Sequence, residues 1–91
     1  MSYEEEIKSL RAEIDRLNQE ILDKIRDRGQ AALRIGELKK KYGRPVRDLA
    51  RETQVLDRVA ELAEARGLEL DATRRIFREI IELCAAAEES Q

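Results

Sequence analysis

Residues 3–42, YEEEIKSLRAEIDRLNQEILDKIRDRGQAALRIGELKKKY, decide the fold. The stretch holds no proline, and Gly29 and Gly36 are its only glycines. Ile7, Leu10, Ile14, Leu17, Ile21, Ile35 and Leu38 recur at helical spacing. In heptad register Ile7, Ile14, Ile21 and Ile35 take a positions, and Leu10, Leu17, Ala31 and Leu38 take d positions. Lys24 at a d position and Arg28 at an a position interrupt that seam. A helix of this length runs about 55–60 Å. A compact globule of the same chain length has a radius of gyration of about 12 Å and a diameter near 30 Å. The stripe therefore cannot be buried against its own chain alone. The pattern predicts pairing with a second chain, with Arg28 where the two meet.

Composition agrees with that expectation. Aromatic residues make up 3% of the chain and charged residues 42%, which is poor material for a globular core but ordinary for long helices. A short chain buries little surface by itself, so association supplies what its core lacks. One domain over residues 1–91 is the expectation. A formal net charge of −2 argues against a general nucleic-acid binder. No apolar run has the length of a membrane span, and no signal-peptide pattern is read. Cys84 stands alone, so an intrachain disulfide framework is excluded. The chain has no histidine, which removes histidine-ligated metals and a histidine base. The expected setting is a reducing one, most simply the cytoplasm.

Outward from the long stretch, the acidic start at residues 1–6 suits the positive end of a helix dipole, through Glu4, Glu5 and Glu6. Lys39, Lys40 and Lys41 suit the negative end; Gly43 can take a left-handed cap, and Pro45 follows. Asp48 caps a second helix with an apolar face of Leu49, Val55, Leu56, Val59, Leu62 and Ala63, ended by Gly67. Asp71 is the expected cap of a third, with a face of Ile76, Phe77, Ile80, Ile81, Cys84 and Ala87. No strand-like alternation is present. The predicted fold class is all-α: one very long helix and two shorter ones, in an intertwined helical dimer.

Several charges do not suit a merely solvated face. An unpaired guanidinium in the seam at Arg28 costs several kcal/mol, on the order of a broken buried ion pair. It calls for a carboxylate, from protein or from ligand, unless it is a register-setting break in a coiled coil. Lys39 lies eleven residues on, about three turns, so both side chains face nearly the same way, about 16 Å apart along the axis. They can converge on one small anion. Arg11 is about 25 Å from Arg28 along the helix and cannot join them within one chain. If two copies cross antiparallel near residue 23, Arg11 of one comes level with residue 35 of the other, between Arg28 and Lys39. Arg47, Asp48, Arg51 and Glu52 crowd the start of the second helix, where free N–H groups add anion affinity; ordinary capping and local ion pairs explain the same cluster. Glu88 extends the apolar face of Phe77, Ile81 and Cys84, unless it is a frayed end before Ser90 and Gln91. Cys84 reads as a small packing residue.

Over essentially its whole length the sequence resembles the all-helical chorismate mutases, the AroQ class. The resemblance rests on Leu10-Arg11, Asp27-Arg28, Gly36 and Lys39, on Arg44-Pro45-Val46-Arg47-Asp48 and Arg51-Glu52, and on Ile80-Ile81-Glu82 leading to Cys84 and Glu88. It implies an intertwined homodimer with two shared sites. It also implies rearrangement of chorismate to prephenate, with no metal or cofactor. Arg28 and the partner subunit's Arg11 would bind the two substrate carboxylates, with Arg47 near the entrance. Lys39 would contact a carboxylate and the ether oxygen. Glu52 and the Asp48 region would address the ring hydroxyl, Arg51 would order that wall, and Glu88 would face the ether oxygen opposite Lys39. Two positions depart from the family's usual pattern: Cys84 stands where serine is frequent, and Glu88 where glutamine is. Gly29 sits inside the helix and costs up to about 1 kcal/mol relative to alanine, without an evident reason.

Two other functions stay open at this point. One is an isochorismate-pyruvate lyase on the same scaffold; the Arg51-Glu52 pair beside Asp48 favours the mutase, since it offers polar groups to a ring hydroxyl. The other is a non-catalytic helical dimerisation or regulatory module.

Overall fold

The computed structural model describes residues 2–89. It contains three helices, α1 (Tyr3–Lys41), α2 (Leu49–Ala65) and α3 (Leu70–Glu89), and no strand among the described residues. Met1, where the expected acidic start begins, and Ser90 and Gln91, which would end a fraying helix, lie outside the described residues.

The punctuation works largely as the sequence predicts. Ser2 caps α1 by accepting from the Glu5 N–H at 3.2 Å. The three lysines fill the last turn of α1, and Gly43 follows with φ of 64°. Asp48 caps α2 by accepting from the Arg51 N–H at 3.0 Å, and Gly67 with φ of 69° closes it. The start of α3 differs. Asp71 lies inside the first turn and pairs with Arg74 at 3.7 Å. The capping acceptor is the Glu69 carboxylate, which takes the Ala72 N–H, while the Glu69 carbonyl accepts from Thr73. Glutamate has one more methylene than the usual capping side chains, so a residue-type rule passes over it.

The helix α3 packs against both α1 and α2. The buried apolar residues are mostly small: Ala32, Val59, Ala60, Ala63, Ile81, Cys84 and Ala85. Small side chains let the helix backbones approach closely. Gly36 shows how closely, since a Cβ there would lie 3.3 Å from Cβ and Cγ of Glu88. Ile76, expected on the apolar face of α3, is exposed. It lies five residues before buried Ile81, which turns it about 140° round the helix. Leu49, expected on the face of α2, is exposed as well; it lies about 80° round the helix from Val59.

The N-terminal half of α1 projects from this packing. Principal extents are 61 × 26 × 15 Å and the radius of gyration is 17.2 Å, against about 12 Å for a compact chain of this length. Leu10, Ile14 and Ile21 are each more than half exposed, and Leu17 is 38% exposed. The stripe that decided the fold is thus uncovered within one chain.

Candidate active site

Four stretches enclose a cavity of about 270 Å³. The second half of α1 contributes Arg28, Ala31, Ala32, Ile35 and Lys39; the connection to α2 contributes Val46 and Arg47. The first turns of α2 contribute Asp48, Arg51, Glu52 and Val55, and the end of α3 contributes Ile81, Cys84, Ala85 and Glu88. Eight expected residues are therefore brought together: Arg28, Lys39, Arg47, Asp48, Arg51, Glu52, Cys84 and Glu88. Arg11 is not among them. It is exposed on the projecting half of α1, in a separate shallow groove with Ile7, Lys8 and Asp15.

Each cation is held differently. Arg28 is half-buried, and its Nη1 donates to Cys84 Sγ at 3.0 Å. The sequence called for a carboxylate there; the chain supplies a thiol, a weak acceptor that leaves the guanidinium's charge uncompensated. Lys39 Nζ donates to the Val46 carbonyl at 2.6 Å and lies 3.7 Å from Glu88 Oε2. The first contact ties the interhelical loop to α1. The second spans α1 and α3, with Glu88 only 13% exposed in its side chain, so Glu88 is part of a packed wall and not a frayed end.

Arg47 forms a two-sided clamp. Its Nε and Nη2 donate to Glu52 Oε2 and Oε1 at 2.8 and 2.7 Å, a bidentate fork. Its Nη1 and Nη2 donate to Glu82 Oε2 and Oε1 at 3.3 and 2.8 Å. Its hydrogen bonds to Glu52 and then to Glu82 push the guanidinium pKa further up. Hydrogen bonds from Arg47, and then its charge, hold the Glu82 carboxyl below the usual carboxylate range. Glu82 lies in the stretch quoted above but was given no role. Nothing local singles it out, because its partner is 35 residues away.

The cavity has a directional charge pattern. Arg28 and Lys39 lie along α1, Arg28 with a thiol for its partner and Lys39 with the Glu88 carboxylate at 3.7 Å. Asp48 and Glu52 lie on the opposite wall, each already accepting from a donor. Such a space receives a small polyanion at one side and a hydrogen-bond donor at the other. Among the described residues no group of three or more Cys, Asp or Glu is arranged to hold a metal ion.

Residues 10–89 match the family described as chorismate mutase type II. The chain belongs to this family. It is 39% identical over 87 residues to a bifunctional chorismate mutase/prephenate dehydratase of Aquifex aeolicus, covering 92% of this chain and 24% of that protein. The chain thus spans about a quarter of that relative's length. Shorter relatives also match. A chorismate mutase of Methanocaldococcus jannaschii is 30% identical over 78 residues, 86% of this chain and 79% of that protein. A 4-amino-4-deoxychorismate mutase of Streptomyces venezuelae is 34% identical over 85 residues, 92% of this chain and 82% of that protein. The all-helical architecture implied by the resemblance to the type II chorismate mutases is the one observed. No helix of the chain is long and apolar enough to cross a membrane among the described residues.

Proposed function

We propose that the chain is an isomerase that converts chorismate to prephenate in phenylalanine and tyrosine synthesis, in the cytoplasm. Residues 1–91 then form one mutase domain, working as a homodimer. The observation that carries this reading is the gathering of Arg28, Lys39, Asp48, Glu52 and Glu88, from three helices, around one cavity.

The chemistry follows from charge. Chorismate carries two carboxylates, one ring hydroxyl and an ether oxygen. Its carboxylates belong with Arg28, whose only side-chain partner is the Cys84 thiol, and with Lys39, and its hydroxyl with Asp48 and Glu52, which offer acceptors. Arg47 stands at the entrance and Arg51 orders the start of α2. Held at both carboxylates, the molecule keeps the compact conformer in which the terminal carbons meet. The ether C–O bond breaks as the new C–C bond forms, and negative charge grows on the ether oxygen. Lys39, with Glu88 beside it, stabilises that charge more than it stabilises the ground state. Atoms and electrons balance within the one molecule, so the reaction calls for no metal or cofactor.

The second carboxylate needs a further cation. The partner subunit's Arg11 is the proposed donor, delivered by antiparallel crossing of two α1 helices. The uncovered Leu10, Ile14, Leu17 and Ile21 stripe supports that assembly.

Incubation with chorismate and, separately, with isochorismate tests the proposal. Prephenate from chorismate is expected. Salicylate with pyruvate from isochorismate would make the chain a lyase instead. No turnover of either, with Arg28→Ala leaving the protein's behaviour unchanged, would make it a non-catalytic dimerisation module.

A further inference from the structure

On the wall that receives the ring substituent, Glu52 is held in an ion pair and Asp48 in a helix cap. Both oxygens of Glu52 are in the fork with Arg47. Asp48 Oδ1 caps the Arg51 N–H, and the positive end of the α2 dipole lies behind it. A carboxylate oxygen accepts more than one hydrogen bond, so a neutral hydroxyl still finds an acceptor. A positively charged substituent finds a different wall. Glu52 is neutralised by Arg47, whose guanidinium lines the same cavity.

Resting on the function proposed above, we infer that the Glu82–Arg47–Glu52 chain makes this site select a ring hydroxyl over a ring ammonium. Arg47 is the specificity-determining residue. Its charge compensates Glu52 and repels a cation brought to the same place. Glu82 is a positioning residue. It holds the far edge of the guanidinium at 2.8 Å from α3, outside the cavity, where its side chain is 58% exposed. Without that second anchor the guanidinium is held by the Glu52 fork alone. An ammonium would then have only that fork to displace from the carboxylate. The two substituents distinguish chorismate from 4-amino-4-deoxychorismate, the compound in the name of the Streptomyces venezuelae relative. An alkyl amine of ordinary basicity is protonated at neutral pH.

The test is kcat/KM for both compounds on the native protein, Arg47→Gln and Glu82→Gln at low ionic strength. The quantity read is the amine-to-hydroxyl ratio for each protein. A partly unfolded preparation lowers both rates together and leaves the ratio intact. The native protein is expected to favour chorismate. Arg47→Gln is expected to shift the ratio toward the amine by at least about fivefold, and Glu82→Gln, which removes a negative charge and leaves the Glu52 fork in place, to shift it by less than about twofold. An unchanged ratio in Arg47→Gln overturns the inference, as does a native protein that turns over the amine as well as chorismate. In both of those cases prephenate formation leaves the mutase reading standing. A native protein inactive on chorismate overturns the mutase reading itself, and the inference with it.

Discussion

Arg28 Nη1 donates to Cys84 Sγ at 3.0 Å, joining the middle of α1 to the end of α3 across 56 residues of sequence. The bond aims a charge that the chain does not otherwise compensate. Cys84→Ala removes the acceptor and leaves the guanidinium free to explore other rotamers. A rise in KM for chorismate of several-fold, about 1 kcal/mol of binding, is expected with a smaller change in kcat. Cys84→Ser keeps an acceptor of better quality and should retain or improve kcat/KM. Steady-state kinetics of the two variants decide it; equal KM for Cys84→Ala and the native protein contradicts the positioning role.

The two helical glycines of α1 should respond oppositely. At Gly36 an added Cβ lies 3.3 Å from Glu88, so in Gly36→Ala that side chain must shift by a few tenths of an ångström beside Lys39. A loss of kcat with helix content retained is expected. At Gly29 nothing lies within 4 Å of an added Cβ in the chain. Gly29→Ala should therefore raise stability by up to about 1 kcal/mol, roughly 4–8 °C in melting temperature. A lower melting temperature instead would place another molecule against that face.

Arg11→Ala and Arg28→Ala should each nearly abolish activity. Mixed and allowed to exchange subunits, they should regain activity, because one of the two sites in each heterodimer then holds no lesion. Exchange verified by mass spectrometry with no recovered rate would refute the antiparallel crossing.

Glu88→Gln should preserve catalysis, since the amide places an N–H donor beside Lys39 and the ether oxygen. Glu88→Ala should lose about 10²-fold or more in kcat, the scale of one lost oxyanion donor. Equal rates for the two variants would remove Glu88 from the reaction.

Acid should weaken the Arg47–Glu82 contact. The folded-state pKa of Glu82 is depressed by Arg47. Its contribution to stability is therefore present above the ordinary carboxylate value and lost as pH falls through the lowered one. Glu82→Gln should be less stable than the native protein at neutrality, with the difference closing in strong acid. Melting curves across pH measure it. Because the pair is solvent-exposed, the neutral-pH difference should be small.

The helices were legible because their signals are local. The apolar period over residues 3–42, Gly43, Asp48 and Gly67 act within one or two turns of themselves. The cap of α3 is not legible by residue type, because Glu69 does by reach at α3 what Asp48 does by type at α2. The cavity residues were legible as a set through the resemblance, but their contacts were not. Arg47 meets Glu82, and Arg28 meets Cys84, only because α3 returns across α1 and α2. Periodicity says which face of α3 is apolar; it does not say which residue lands opposite which. Gly36 shows the same limit, since its place in the sequence gives no hint that Glu88 crosses there.

Lys39 carries a consequence of its own. An ammonium has three N–H bonds directed to the corners of a tetrahedron. One points to the Val46 carbonyl, while Glu88 at 3.7 Å is an ion pair and not a hydrogen bond. The other two are left for a ligand. A guanidinium spreads its donors in one plane and cannot serve three partners so arranged. The position therefore discriminates by hydrogen-bond geometry where it would tolerate any cation by charge. An arginine there would keep the site's electrostatics and still break either the loop or the chemistry.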